Sequence, residues 1–129
     1  MKYLLDTCAL IYMVFAPDRL SSKAADIVSG DSELYVSIAS IWEIMIKEQI
    51  GKLDIDETSA MELQDICSQM NVHILQTSIP QVDGIRHLPV YKDHGDPFDR
   101  LIISQAIDLK MPVITSDEKF NRYDIQVIW

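Results

Sequence analysis

The sequence predicts an α/β protein, a parallel sheet flanked by helices. Three observations point to it. Short runs of apolar and β-branched residues alternate along the whole chain with longer stretches that favour helix. Helix start and stop signals, among them Asp96-Pro97, Gly51 and Asn71, separate those runs. Acidic residues stand just past two of the apolar runs, Asp6 after Tyr3-Leu4-Leu5 and Asp117 after Val113-Ile114-Thr115-Ser116. The edge beyond the carboxyl ends of the strands is where open α/β sheets collect ligands.

Lys2–Leu5 is the first expected strand, and Asp6 suits the turn or helix cap that follows it. Ala9–Phe15 reads as a short helix closed by Pro17, and Ser22–Ser29 as a second helix. Glu33–Val36 is the next strand. The helix after it runs over Ile38–Gln49 and stops at Gly51. Thr58–Met70 is helical up to Asn71, and Val72–Leu75 is the third strand. Ile79–His87 is helical, and His87–Gly95 is the longest irregular stretch, a candidate mobile loop. Asp96 caps the helix Pro97–Lys110, with Pro97 at its first position. Val113–Thr115 and Gln126–Ile128 complete the strands. No linker, repeat or low-complexity segment divides the 129 residues, which suffice for one domain with a real core.

Hydrophobic residues make up 48% of the chain and mean hydropathy is +0.06, so a soluble globular protein is expected. The formal net charge is −9. That balance excludes general affinity for nucleic acid through counterion release, which needs Lys and Arg. A nuclease of this composition needs a metal or a local basic patch, and a basic partner protein is a second use for the charge. Cys8 and Cys67 are too few for a disulfide framework and fit the reduced thiols of a cytosolic protein. The apolar N-terminus looks superficially like a signal peptide, but Asp6 interrupts it and it is too short to span a bilayer.

The candidate chemistry lies in Asp6, Glu43, Asp99 and Asp117, each placed where a parallel α/β fold brings it to one edge. Each also has a structural explanation. Asp6 suits an N-cap; Thr7 beside it suits a cap or the hold on a metal-bound water. Glu43 completes a capping box if Ser40 is the cap, and lies in the second turn if Ser37 is; it is also spaced to pair with Lys47. Trp42, Ile44 and Ile46 read as core rather than as a base-stacking platform. In His94-Gly95-Asp96-Pro97-Phe98-Asp99-Arg100, Asp96 is explained as a cap and Asp99 as an N3 carboxylate, with Arg100 free to pair with either acid. Asp117 suits a cap for Glu118–Tyr123, with Ser116 a candidate water-orienting hydroxyl. His94 reads as a loop residue that could touch substrate. Two carboxylates about 5 Å apart repel by roughly 3 kcal/mol at an effective dielectric near 20. A hard divalent cation offsets that cost and serves phosphate-ester chemistry.

Leu5-Asp6-Thr7, Trp42-Glu43-Ile44, Asp96-Pro97-Phe98-Asp99-Arg100-Leu101-Ile102 and Thr115-Ser116-Asp117, in that order, resemble the motifs of PIN-domain nucleases. The resemblance covers the chain from residue 3 to the C-terminus and is greatest to the VapC-type toxins of prokaryotic toxin–antitoxin modules. It implies a three-layer fold with a five-stranded parallel sheet in the order 3-2-1-4-5. It implies a cytoplasmic endoribonuclease, dependent on Mg²⁺ or Mn²⁺, whose hydrolysis of RNA inhibits translation and growth. The acids it carries over are Asp6, Glu43, Asp99 and Asp117, with Thr7 and Ser116 as supporting hydroxyls and Asp96 in capping and loop shaping. Asp6, Asp99 and Asp117 would hold one or two metal ions, with Glu43 completing the cluster directly or through water. The implied partners are a cognate antitoxin, an RNA substrate and a second copy in a homodimer; operator DNA is bound only through the antitoxin, and no membrane is involved. Lys47, Lys52, Arg86, Lys92 and Arg100 are candidate RNA contacts by charge, with Lys92, His94 and Arg100 nearest the densest motif, although Arg100 also suits a structural ion pair.

Other classes fit less well. A haloacid-dehalogenase-like phosphatase needs an Asp two residues after Asp6, where Cys8 stands. A receiver module carries an acid after its third strand, where this chain has Gln76-Thr77-Ser78. A binding-only PIN-like domain would be expected to lack one of the four acids, and none is missing; a non-catalytic acidic α/β binding or regulatory module, which could also collect acids at the sheet edge, is the alternative reading.

Overall fold

A computed structural model of the chain describes Met1–Trp129. Strand β1 (Lys2–Leu5) is the centre of a five-stranded sheet. It pairs in parallel with β2 (Glu33–Ser37) on one side and β4 (Val113–Ile114) on the other. Outside these lie β3 (Val72–Leu75) against β2 and β5 (Val127–Ile128) against β4, also parallel. The order is therefore 3-2-1-4-5, as expected. Register aligns the strand ends. Leu5 stands beside both Val36 and Ile114, so three strands end level and Asp6, Ser37 and Thr115 emerge side by side at one edge.

Successive residues of β1 face opposite layers. Tyr3 and Leu5 join one core with the helices α1 (Thr7–Phe15), α2 (Ser22–Ser29), α3 (Ile38–Gln49) and α4 (Ala60–Gln69). Leu4 and Val113 join another with Phe120 and Ile102, Ile103 and Ala106 of α6 (Pro97–Leu109). Short α5 (Ile79–Gly84) rests on α6, with the Ser104 hydroxyl donating to the Gln81 carbonyl. A strand buried on both faces must be apolar throughout, which explains the run Tyr3-Leu4-Leu5.

Several boundaries differ from expectation for local reasons. Helix α1 starts at Thr7 instead of Ala9 because Asp6 caps it directly off the strand, accepting from the Ala9 N–H at 2.8 Å. Helix α4 starts later than Thr58, where Ser59 and Glu62 form a capping box. The stretch Ile79–His87 divides into α5 and a 3-10 turn, Ile85–His87. Helix α3 ends as its Gly predicts: Gly51 takes φ 77°, and the Gly51 and Lys52 amides return to the Glu48 and Lys47 carbonyls.

The irregular stretch His87–Gly95 is tied to its neighbours by hydrogen bonds. Arg100 donates to the Pro89 carbonyl at 2.8 Å, the Tyr91 hydroxyl to the Arg122 carbonyl at 3.0 Å, and Lys119 Nζ to the Asp93 carbonyl at 2.8 Å. Arg122 grips the Asp93 carboxylate through both terminal nitrogens, holding that carboxyl down at about 2.

Candidate active site

The aligned strand ends build the first half of the site. Asp6 Oδ1 is spent on the α1 cap, and Oδ2 accepts from the Thr115 hydroxyl at 2.6 Å. Thr115 in turn accepts from the Asp117 N–H at 3.0 Å, so one hydroxyl joins both acids of the edge. Thr7, the first residue of α1, reaches sideways to α3, where its hydroxyl meets Glu43 Oε1 at 2.6 Å and Ser40 Oγ at 2.9 Å. Glu43 Oε2 binds Lys47 one turn later at 2.5 Å. Ser37, and not Ser40, caps α3, accepting from the Ala39 N–H, so the capping-box explanation of Glu43 fails and the carboxylate is left for the site.

The second half comes from the start of α6. Asp96 caps it by accepting from the Asp99 N–H at 3.0 Å. This fixes the first turn and directs Asp99 toward the strand edge, where its charge raises the Asp6 pKa. Asp99 Oδ2 lies 3.1 Å from His94 Nε2. Asp117 caps the 3-10 turn Glu118–Arg122 through Oδ1. His94, Asp99 and Asp117 each offer one ligand atom, all within 4.8 Å of one another. Asp6 and Glu43 stand outside that tight group, their oxygens held by Ala9, Thr115, Thr7 and Lys47.

The electrostatics follow from burial and crowding. Asp6 is 4% exposed. Burial pushes its carboxyl up to about 7 against the opposing pull of the Thr115 hydroxyl and the Ala9 amide; the Asp99 and Asp117 charges raise it further. Asp99 is pushed up to about 6, first by burial and then by Asp96 and Glu43, with the His94 bond pulling the other way. Lys47 is the one Lys or Arg whose side chain is bonded to any of the four acids. A carboxylate set with so little internal compensation suits a hard divalent cation, which prefers oxygen donors.

Other expected residues are placed less centrally. Trp42, a core residue by expectation, is instead 61% exposed, packing edge-on against Phe98 at 5.0 Å between centroids. Ile41 and Ile44, three apart, take the face that packs inward, and Trp42 falls off it. Ser116 is exposed and makes no side-chain hydrogen bond; the hydroxyl on the carboxylates belongs to its neighbour Thr115. Arg100 pairs with neither Asp96 nor Asp99 and binds the Pro89 carbonyl and the Tyr123 hydroxyl. Lys92 and Lys52 are exposed, and Arg86 stands 3.8 Å from Asp83. His94 is buried, not a free loop side chain. Sequence reasoning missed Thr115, Ser40 and Tyr123; the position of Thr115 one residue past a strand was the available signal. A groove of about 740 Å³ lies at the β3 edge among Ile38, Met61, Asp65 and His73 and contains none of the four acids.

The fold recurs in solved structures of other proteins. A chain of the VapBC2 complex of Rickettsia felis, bound to a promoter DNA fragment, superposes with a TM-score of 0.71 at 17% identity, covering 99% of this chain and 98% of that one. A chain of VapBC-1 from nontypeable Haemophilus influenzae gives 0.63 at 19% identity, over 99% and 97%. A chain of FitAcB from Neisseria gonorrhoeae gives 0.61 at 19% identity, over 98% and 96%. No curated protein sequence matches the chain. The family profile of the PIN domain matches residues 3–126. With nearly the whole chain inside that profile, and the sheet order and fold to match, this protein belongs to the PIN-domain family.

Proposed function

We propose that the chain is the toxin of a toxin–antitoxin pair, an endoribonuclease that uses Mg²⁺ or Mn²⁺ to hydrolyse RNA phosphodiesters. The observation that carries the proposal is the approach of Asp99 and Asp117 to within 4.8 Å, near enough to buried Asp6 for their charges to add to the burial that raises its carboxyl to about 7, with Asp99 itself raised to about 6. Such acids lack a positive charge that the chain itself does not provide. Asp6, Asp99 and Asp117 would hold the cation, with Glu43 joining directly or through water. When bound, the cation lowers the pKa of a coordinated water and polarises the scissile phosphate.

The rest is the work of this chain's own groups. The Ala9 amide and the Thr115 hydroxyl hold both oxygens of Asp6, so its plane is set before anything binds. Thr7 and Lys47 do the same for Glu43. Asp96 sets the turn from which Asp99 projects. In-line attack of water on the phosphorus needs this fixed geometry more than it needs flexible side chains. Inhibition of translation and growth would follow from cutting a cellular RNA.

The partner proposals rest on charge and on the relatives. A net charge of −9 makes the chain a poor binder of DNA alone. A cognate antitoxin with a basic side chain fits the acid cluster, and operator DNA would be reached through that antitoxin. A homodimer is the expected assembly. No helix is long and apolar enough to cross a membrane. The decisive experiment is cleavage of a mixed RNA pool by purified protein with Mg²⁺ or Mn²⁺, repeated with EDTA and with Asp99→Ala. Cleavage lost under both conditions supports the proposal. Cleavage that persists in EDTA or in Asp99→Ala overturns the mechanism, and its absence with metal, in protein freed of antitoxin, overturns the activity.

A further inference from the structure

Resting on the nuclease reading above, we infer that His94, Tyr123 and Arg100 form a hydrogen-bond relay that positions Asp99. His94 is 5% exposed, and its ring lies between two partners on opposite sides. Nδ1 is 2.8 Å from the Tyr123 hydroxyl, and Nε2 is 3.1 Å from Asp99 Oδ2. Arg100 Nη1 lies 3.4 Å from the same Tyr123 oxygen and 2.8 Å from the Pro89 carbonyl.

The direction of the relay comes from the donor and acceptor capacity of each group. A guanidinium only donates, so the Tyr123 oxygen accepts from Arg100. The hydroxyl hydrogen of buried Tyr123 then needs an acceptor, and His94 Nδ1 is the one within reach. A neutral imidazole that accepts at Nδ1 carries its proton on Nε2. Nε2 therefore donates to Asp99 Oδ2. The chain Arg100→Tyr123→His94→Asp99 has one consistent polarity and ends on a carboxylate.

Packing keeps the relay in place. The Phe120 ring lies 5.7 Å from the His94 ring, and Tyr91 packs edge-on against Tyr123 at 5.5 Å. Arg100 ties the relay to the loop preceding His94. The functional consequence concerns Asp99 geometry. With Oδ2 held by an N–H, the carboxylate has one orientation, and its other oxygen is left for a cation. Carboxylates that ligate metals are themselves commonly held by such hydrogen bonds, and losing the holder typically weakens metal affinity by about 10- to 100-fold. His94 and Tyr123 are thus positioning residues, and the inward turn of Arg100 accounts for its failure to pair with Asp96 or Asp99.

The test measures Mn²⁺ affinity by calorimetry, with kcat and KM for RNA and thermal unfolding alongside, on wild type and on His94→Ala, His94→Gln and Tyr123→Phe. His94→Ala should weaken Mn²⁺ binding about 10- to 100-fold and lower kcat with little change in KM. His94→Gln, which retains an N–H donor near the Nε2 position but is a poor metal ligand, should recover most of the affinity. Tyr123→Phe should shift affinity in the same direction as His94→Ala but less. Folded His94→Ala that binds Mn²⁺ as tightly as wild type overturns the relay; if that variant does not fold, unaltered affinity in Tyr123→Phe does so. Equal loss in His94→Gln and His94→Ala overturns it in favour of direct ligation by His94. Wild type that neither binds Mn²⁺ nor cleaves RNA overturns the nuclease reading itself, which separates the two failures.

Discussion

Asp6 uses its two oxygens for different purposes, and this explains why it was only half legible. Its placement after an apolar strand is a local signal, and both its capping and its clustering come from that placement. Its partner Thr115 lies 109 residues away and meets it only because β1 and β4 end level. No window of sequence contains that fact. His94 is similar: its bond to Tyr123 spans 29 residues and depends on the tethered loop. Asp6→Asn should retain the Ala9 cap through its carbonyl oxygen while removing a buried charge. The expected result is a metal-free protein at least as stable at pH 8 as wild type, with RNA cleavage reduced by about a hundredfold or more. Cleavage at the wild-type rate would remove Asp6 from the mechanism. Thr115→Val tests the hydroxyl alone: it should lower Mn²⁺ affinity by about tenfold and leave the fold unchanged, as judged by titration and circular dichroism.

At the scale of elements, the strands and long helices were readable because their signals are local: apolar runs, N-caps and the Gly51 stop. Two things were unreadable: which Ser caps α3, since Ser37 and Ser40 are both suitable, and which face Trp42 takes. The helix ends give predictions that need no site. Gly51 has φ 77° and open space around the position of a Cβ, so Gly51→Ala carries a backbone penalty alone. It should destabilise by about 1 kcal/mol in urea unfolding, with cleavage per folded molecule unchanged. Lys110 occupies the equivalent left-handed place after α6, at φ 55°, with the Met111 amide returning to the Ala106 carbonyl at 3.0 Å. Lys110→Gly relieves the side-chain clash and should stabilise by about 0.5–1 kcal/mol. If both substitutions shift stability in the same direction, the left-handed assignments at these two ends are wrong.

Across the whole molecule, fold and site are in tension, and the tension is titratable. Two strand ends, helix α3 and the start of α6 deliver acids to this region, so the fold that builds the site must also bury its charge. Asp6 goes from an ordinary 3.8 to about 7, and Asp99 from 3.8 to about 6, on folding. The folded chain therefore holds these two protons more tightly than the unfolded chain does. Stability from these groups is fully present below about pH 4 and is lost as pH rises through about 6 to 7. A divalent cation competes with those protons and binds the folded state, so it should restore the lost stability mainly above pH 7. Mn²⁺ at a hundred times its Kd is worth about 2.7 kcal/mol, or a rise in Tm on the order of 10 °C for a chain of this size. That rise is expected at pH 8 and should shrink markedly at pH 5, where protons hold the same oxygens. Asp6→Asn should flatten the pH dependence of the metal-free Tm, because the group that titrates is gone. Calorimetric scans at pH 5 and pH 8, with and without Mn²⁺, check each part. A metal-induced shift equal at both pH values, or a pH-dependent Tm unchanged by Asp6→Asn, would mean that the cation binds away from the sheet edge and that the buried acids serve the fold alone.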